Sequence, residues 1–158
     1  MDLGQVFTNK NVAEYMTSLF SLENDANMMD PCFGDGVFLS SLQEFGYSNI
    51  TGCEIDSNLF FRTKANFPNV KLVNSDFLSY SNNQKFDGII MNPPYIRQEK
   101  IDLLSPLGIS KDRLRKNPLF SNLPVTANIY MYFIIKALSL LNEMGELIVI
   151  FPESWLTS

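Results

Sequence analysis

The 158-residue sequence contains no histidine, and this absence excludes several kinds of active site. Ser-His-Asp and Cys-His nucleophile systems, His-ligated zinc and histidine general bases all require an imidazole. Any reaction would therefore depend on carboxylates, amides, hydroxyls, aromatic rings or a cofactor. No metal site is expected.

Cysteines and long apolar segments are also scarce. Cys32 and Cys53 are the only cysteines, and they do not form a C-x-x-C pair. Isolated cysteines are typical of reduced, packed thiols, so we expect a cytoplasmic protein. No apolar run approaches the length of a membrane span, and no charged-then-apolar leader opens the chain, so no membrane partner is expected.

The balance of charge is acidic overall but uneven along the chain. The formal net charge of −5 argues against a free-standing nucleic-acid binder. Yet residues 97–116 carry six of the twelve Lys and Arg side chains. This basic segment is equally compatible with a solvated loop and with a loop that faces phosphates.

Apolar strand-like segments alternate with helical patterns along the chain. This alternation predicts an α/β fold with a doubly wound, mainly parallel sheet in one domain, residues 1–158. The predicted strands are 27–30, 50–56, 70–74, 86–91 and 146–151, and the predicted helices include 37–45, 128–141, a short one near 111–115 and one opening at 152–156. Asn142–Gly145 is expected to end the long helix. A first helix is expected to bury the face formed by Val12, Tyr15, Met16, Leu19 and Phe20.

The stretch Asn92-Pro93-Pro94-Tyr95 follows the fourth predicted strand. Two prolines cannot continue a strand ladder, because neither has a backbone N–H, so the chain leaves the sheet in a stiff, extended form. The carboxyl ends of parallel strands are where open α/β sheets bind ligands. The Asn92 side-chain oxygen and the Pro93 carbonyl are two acceptors suited to a planar NH₂ group, and Tyr95 offers a face on which a ring can stack.

Asn-Pro-Pro-Tyr after a strand resembles the catalytic signature of S-adenosylmethionine-dependent amino-methyltransferases, above all the adenine-N6 DNA methyltransferases. The resemblance implies that Asn92 and the Pro93 carbonyl hold the target amine and that Tyr95 stacks on the target base. It also places Pro94 beside the cofactor.

A glycine loop supports the same resemblance. Asp30 to Gly36 reads Asp-Pro-Cys-Phe-Gly-Asp-Gly, which is similar to the family's first cofactor motif and implies contacts from Asp30, Gly34 and Gly36. Leu39 occupies the third glycine position, so the dinucleotide fingerprint G-x-G-x-x-G is not present. The acids Asp30 and Asp35 would repel a pyrophosphate but attract an ammonium and a sulfonium.

Three more segments match the family's cofactor site by resemblance. Glu54, after the second predicted strand, would bind the ribose hydroxyls, with Ile55 against the adenine. Asp76 would accept from the adenine amine, with Phe77 beside the ring; when this segment is taken alone, a local turn with a buried Phe is a serious alternative. Within Gly4–Thr8, Thr8 matches the position that contacts the methionine end of the cofactor.

The resemblance implies methyl transfer from S-adenosylmethionine to the exocyclic amine of adenine in double-stranded DNA, as in restriction-modification systems. Methylation of glutamine side chains or ribosomal RNA, and a non-catalytic scaffold of the same fold, remain as alternatives. The family's sheet continues beyond five strands and its target-recognition domain follows, so we expect a partial catalytic domain that is incomplete at its C-terminal end. Such a domain is expected to expose a sheet edge that favours self-association, and to bind DNA weakly with help from residues 97–116.

Overall fold

The computed structural model describes residues 5–81 and 83–153. Gly4 of the predicted cofactor segment Gly4–Thr8 and residues 154–156 of the helix predicted to open at 152–156 lie outside these residues. The helices are α1 Lys10–Ser18, α2 Val37–Glu44, α3 Ser57–Lys64, α4 Lys111–Lys116 and α5 Ile129–Leu140. The strands are β1 Asn27–Asp30, β2 Asn49–Glu54, β3 Lys71–Asn74, β4 Phe86–Met91 and β5 Leu141–Val149. Turns of 3₁₀ helix cover Phe77–Ser79, Gln98–Leu107 and Pro118–Phe120.

The five strands form one parallel sheet in the order β3-β2-β1-β4-β5. The predicted doubly wound α/β fold is therefore confirmed. The strand order reverses between β1 and β4, because the chain crosses from one side of β1 to the other after β3. At such a reversal the loops at the carboxyl ends of neighbouring strands separate and leave a crevice for a ligand.

Apolar side chains of the central strands alternate between two cores. Met28 and Ile90 pack with residues of α1, α2 and α3, whereas Met29 and Ile89 pack with α5 and the segment before it. Successive side chains of a strand point to opposite faces, so helices cover both faces of the sheet. Among the described residues, none of the helices has the length and apolar character needed to cross a membrane.

The first helix buries only part of the predicted face, because Met16 is buried and Phe20 packs against the core but the other predicted side chains are exposed. Tyr15 and Leu19 are 65% and 52% exposed, whereas Ala13 and Thr17 are buried. The small side chain of Ala13 lets α2 approach closely, and Ser41 of α2 donates a hydrogen bond to Thr17 Oγ1 at 2.8 Å. The partner helix therefore decided which face of α1 is buried.

The long helix ends before Asn142–Gly145 as predicted, but β5 begins at Leu141 instead of at Glu146, directly after α5. Phe86 pairs with Leu141 and Gly88 pairs with Glu146, so residues 142–145 form a bulge in the strand. The Asn142 side chain donates to Asp87 Oδ1 at 2.8 Å, which fixes the bulge to β4. Among the described strands, β5 and β3 lie at the two edges of the sheet.

Candidate functional site

A pocket of about 820 Å³, including its space open to solvent, lies at the carboxyl ends of β1 to β4. Most of the predicted site residues line it: Thr8, Gly34, Glu54, Ile55, Asp76, Phe77, Asn92 and Pro94. The other predicted residues, Asp30, Gly36, Pro93 and Tyr95, are not part of the lining, but each is next in the chain to a residue that is. The fold thus brings segments from most of the chain to one crevice.

The glycine loop between β1 and α2 has separate roles for its two glycines. Gly34 has a φ of +55° and lines the pocket, where its N–H donates to Glu54 Oε2 at 3.0 Å. Gly36 has a φ of +86° and caps α2; a Cβ there would lie 2.5 Å from the ring of Phe67. The requirement for Gly36 is therefore backbone conformation and packing, whereas Gly34 also presents backbone to the pocket.

Glu54 is held at the pocket wall by three donors. Its Oε1 accepts from the Asp56 N–H at 2.9 Å and from Gln5 Nε2 at 3.3 Å, and its Oε2 accepts from the Gly34 N–H. Burial raises the pKa of Glu54, and the backbone hydrogen bonds from Asp56 and Gly34 partly offset this effect. Each carboxylate oxygen has two lone pairs, so Oε2, which accepts one hydrogen bond, can accept a further hydrogen from a ligand.

Asp76 and Phe77 both form a local turn and face the pocket. Asp76 Oδ1 accepts from the Leu78 N–H at 2.9 Å and caps the 3₁₀ turn that follows β3. Phe77 is 2% exposed, and its ring lies 5.5 Å from that of Phe133. The local turn and the lining of a ligand site are thus compatible, and Asp76 keeps acceptor capacity toward the pocket.

Asp30, at the end of β1, lies beneath the pocket with no exposed surface. Its Oδ1 accepts from the Cys32 N–H at 3.2 Å, but its Oδ2 finds no hydrogen-bond partner among the residues that the structure describes. Burial, with a smaller contribution from Glu54 and Asp35, raises the pKa of Asp30 well above the usual range of an aspartate. A buried carboxyl oxygen without a partner is costly, so this group requires an explanation beyond the stability of the fold.

The side chain of Asn92 has a fixed orientation after β4. Its Nδ2 donates to the carbonyl oxygen of Val6 at 2.7 Å and to Thr8 Oγ1 at 3.0 Å. Its Oδ1 accepts from the Tyr95 hydroxyl at 2.6 Å. Burial raises the pKa of Tyr95, so the phenol keeps its proton and acts as the donor. The Cys32 thiol, whose pKa is likewise raised by burial, donates to the main-chain carbonyl of Asn92 at 3.2 Å.

Residues 5–8, here called the N-terminal strap, cross the pocket between the ends of β2 and β4. Gln5 contacts Glu54 at one end, and Val6 and Thr8 contact Asn92 at the other. The sequence predicted Thr8 but not the roles of Gln5 and Val6. The carbonyl of Val6 acts through the backbone, so its residue type carried no signal for this contact.

The connection after β4 supplies an apolar wall that the sequence analysis did not assign to the site. Leu104, Leu107 and Ile109 line the pocket together with Ile129 and Phe133 of α5. Their apolar character within a long connection was the available signal, because such residues require a surface on which to pack.

The charges around the pocket match S-adenosylmethionine, the cofactor expected from the resemblance. Acidic Asp35, Glu54 and Asp76 line it, and its described lining includes no Lys or Arg. An ammonium and a sulfonium are attracted to such a site, whereas a pyrophosphate would be repelled. Asp30 Oδ2 is a further acceptor beneath the glycine loop that lacks a partner among the described residues, so the residues present fit this cofactor. Residues 5–81 and 83–153 contain no group of three or more acidic or thiol ligands placed to hold a metal ion.

The basic segment follows the Asn92 site directly and divides into two groups. Lys111 donates to Gln98 Oε1 at 2.6 Å, and Arg113 donates to the Gly108 carbonyl at 2.9 Å, so these cations stabilise the segment itself. The second group is exposed and consists of Arg97, Lys100, Arg115 and Lys116. These side chains form the positive surface nearest in sequence to the pocket.

Comparison with known sequences gives matches along nearly the entire chain. The model of the family described as Eco57I restriction-modification methylase matches residues 36–158. The type II methyltransferase M.HincII of Haemophilus influenzae is 35% identical over 154 residues, covering 97% of this chain and 28% of that protein. The chain thus spans less than a third of the length of this curated relative.

Solved structures show the same architecture. The methyltransferase subunit of a type I restriction-modification system from Streptococcus thermophilus matches with a TM-score of 0.75 at 21% identity, covering 96% of this chain and 35% of that chain. A class I S-adenosylmethionine-dependent methyltransferase of Listeria monocytogenes matches with a TM-score of 0.71 at 13% identity, covering 94% of this chain and 46% of that chain. At these identities the likeness establishes the Rossmann-like methyltransferase fold.

Proposed function

The chain belongs to the Eco57I restriction-modification methylase family, and from this membership we propose that it methylates the exocyclic amine of adenine in double-stranded DNA. The cofactor of this methyltransferase family is S-adenosylmethionine. The observation that carries the adenine assignment is the fixed side chain of Asn92. The N-terminal strap binds its amide nitrogen, which leaves its oxygen to accept a hydrogen from the target amine.

The cofactor would supply an electrophilic methyl group on its sulfonium. Glu54 accepts hydrogen bonds from the ribose hydroxyls, and Asp76 accepts one from the adenine amine of the cofactor. Ile55 and Phe77 pack against the cofactor's ring. Gly34 allows the backbone to approach the cofactor closely, and Thr8 and Pro94 line the same pocket.

Asn92 and the Pro93 carbonyl hold the two hydrogens of the target amine. An aromatic amine is a weak nucleophile because its lone pair is delocalised into the ring. Two acceptors that follow the hydrogens as the nitrogen becomes pyramidal stabilise the positive charge that develops on it. Tyr95 stacks on the base, which must leave the duplex because its amine is otherwise unreachable.

Residues 1–158 act in this proposal as part of a catalytic domain, and target recognition comes from a separate domain. Support comes from the acidic net charge of −5 and from the much greater length of the relatives. The exposed cations of residues 97–116 contact phosphates beside the flipped base. The edge strand β5 is a surface through which the protein could self-associate. The free thiols Cys32 and Cys53 are consistent with a cytoplasmic location.

The proposal is tested by methyl transfer from radiolabelled S-adenosylmethionine to duplex DNA, followed by digestion to nucleosides. N6-methyladenine is the expected product, and Asn92→Ala should abolish it while calorimetry shows that cofactor binding is retained. Label in N4-methylcytosine, in RNA or in protein glutamine would refute the adenine assignment. Unchanged transfer by Asn92→Ala would refute the role of Asn92, and absence of cofactor binding by the folded protein would favour the scaffold alternative.

A further inference from the structure

Both hydrogens of the Asn92 amide nitrogen are engaged by the N-terminal strap. Nδ2 lies 2.7 Å from the Val6 carbonyl oxygen and 3.0 Å from Thr8 Oγ1. A planar NH₂ group has two hydrogens, so these two acceptors satisfy it. The strap therefore leaves the nitrogen of Asn92 without a hydrogen to offer a substrate.

The Val6 carbonyl also decides which way round the amide lies. A carbonyl oxygen only accepts hydrogen bonds, so a flipped amide would place Asn92 Oδ1 against another acceptor at hydrogen-bonding distance. The observed orientation sends Oδ1 to the opposite side, where the Tyr95 hydroxyl donates to it at 2.6 Å. Oδ1 has two lone pairs, so it can accept a substrate hydrogen beside that of Tyr95.

The Thr8 hydroxyl engages the amide hydrogen that the Val6 carbonyl leaves. Without it, one N–H of Asn92 would lack its partner, and the amide could rotate about its last torsion toward water. Such rotation removes Oδ1 from the position where it accepts. Both Thr8 and Asn92 line the same pocket, so the contact sits where the target amine would meet the cofactor.

We propose that Thr8 is a positioning residue, which together with the Val6 carbonyl orients Asn92 so that Oδ1 faces the amine of the target base. This inference rests on the proposed function, because it assigns a task to the acceptor of Asn92. It differs from the role that the resemblance implied for Thr8, which is contact with the methionine end of the cofactor. The two roles have different kinetic consequences.

Thr8→Val keeps the size of the side chain and removes the hydroxyl. We expect kcat to fall by about tenfold, because one hydrogen bond that orients a reacting group is worth roughly that factor, with the Kd for S-adenosylmethionine changed by less than about threefold. Thr8→Ser restores the hydroxyl and should restore most of kcat. Thr126→Val, at an exposed site outside the pocket, is the matched control and should leave both constants unchanged.

A spectroscopic measurement tests the same contact without turnover. In ¹⁵N-labelled protein, the side-chain NH₂ signals of Asn92 are assigned by their loss in Asn92→Ala. We expect both hydrogens to exchange slowly with solvent in the wild type and in Thr8→Ser. In Thr8→Val, both hydrogens should exchange faster, because rotation of the amide about its last torsion also breaks the bond to the Val6 carbonyl.

Two results would overturn the positioning role. One is a Thr8→Val protein whose Asn92 side-chain signals and exchange equal those of the wild type. The other is a weaker Kd for the cofactor with kcat retained, which would identify Thr8 as a cofactor contact. Full methyl transfer by Asn92→Ala would instead refute the proposed function itself, so the two failures are distinguishable.

Discussion

The replacement Asp30→Asn is expected to stabilise the protein without ligand and to weaken its binding of S-adenosylmethionine. Asp30 has no exposed surface, and one of its carboxyl oxygens has no partner among the described residues. Asparagine has nearly the same shape but no charge to desolvate. The two expected effects have opposite signs, which separates a functional group from a merely structural one.

The size of the stability gain follows from the contacts of Asp30. The backbone N–H of Cys32 is the hydrogen bond that the structure gives it, at 3.2 Å, and Glu54 and Asp35 add repulsion. Asparagine would also leave one polar group without a partner, so the gain comes from the removal of the charge. Each unit by which burial raises the folded pKa corresponds to about 1.4 kcal/mol, so we expect a gain of at least this order at neutral pH. For a domain of this length, that corresponds to roughly 2–4 °C in Tm for each kcal/mol.

The gain should depend on pH in a defined direction. Because burial raises the pKa of Asp30 in the folded state, the folded protein keeps a proton that the unfolded chain has already released. Wild-type stability therefore falls as pH rises from about 3.9, the ordinary pKa of aspartate, through the raised folded value. The gain in stability from Asp30→Asn should be small near pH ~3.9 and should grow as pH rises.

Urea denaturation of both proteins across this pH range measures the difference, and calorimetric titration measures the cofactor affinity. Loss of binding with a gain in stability would support a role for the Asp30 carboxyl in holding the cationic cofactor. A variant that is less stable than the wild type, or one whose stability difference does not vary with pH, would refute the electrostatic reasoning. Unchanged cofactor affinity would limit Asp30 to a structural role.

Three further predictions concern the pocket and its surroundings. Gly36→Ala should lower the free energy of unfolding by about 2–4 kcal/mol in urea denaturation, because the residue has a positive φ and its new Cβ would lie 2.5 Å from the ring of Phe67. Gly34→Ala should lower it less, because the nearest atom to its Cβ would be 3.6 Å away. Equal losses in the two variants would contradict the packing argument. Glu54→Gln should weaken cofactor binding by about 10–100-fold in calorimetry, since it loses charged hydrogen bonds, whereas Glu143→Gln at an exposed site should match the wild type. Cys53 should resist a thiol reagent at pH 8 until the protein is unfolded, because burial raises its pKa; rapid labelling of the native protein would show that this thiol is accessible.

Local patterns predicted the fold well where neighbouring residues determine the structure. β4 begins and ends at the predicted residues, because an apolar run is terminated by a pair of prolines that cannot extend a ladder. α4 was expected near residues 111–115 and lies at Lys111–Lys116, where Ser110 caps it. The parallel sheet covered by helices follows from the same alternation of strands and helices, whereas the order of its strands is known only from the structure.

Predictions failed where a distant part of the chain decided the outcome. The buried face of α1 depends on the close approach of α2, whose Ser41 bonds to Thr17. The start of β5 depends on Asp87, which holds Asn142 from 55 residues away in the chain. Neither partner is visible in the local periodicity.

For the candidate site, the sequence by itself determined which groups are present and at which strand ends they lie. The acids after β1, β2 and β3 and the amide after β4 follow from residue type and from the shared edge of a parallel sheet. Only the tertiary structure decided how these groups are held. It buried Asp30 beneath the loop instead of in the lining, and it oriented Asn92 through Val6, 86 residues earlier in the chain. The reason is physical: residue type fixes what a side chain can donate or accept, but burial and the choice of partner arise only when separate segments pack together.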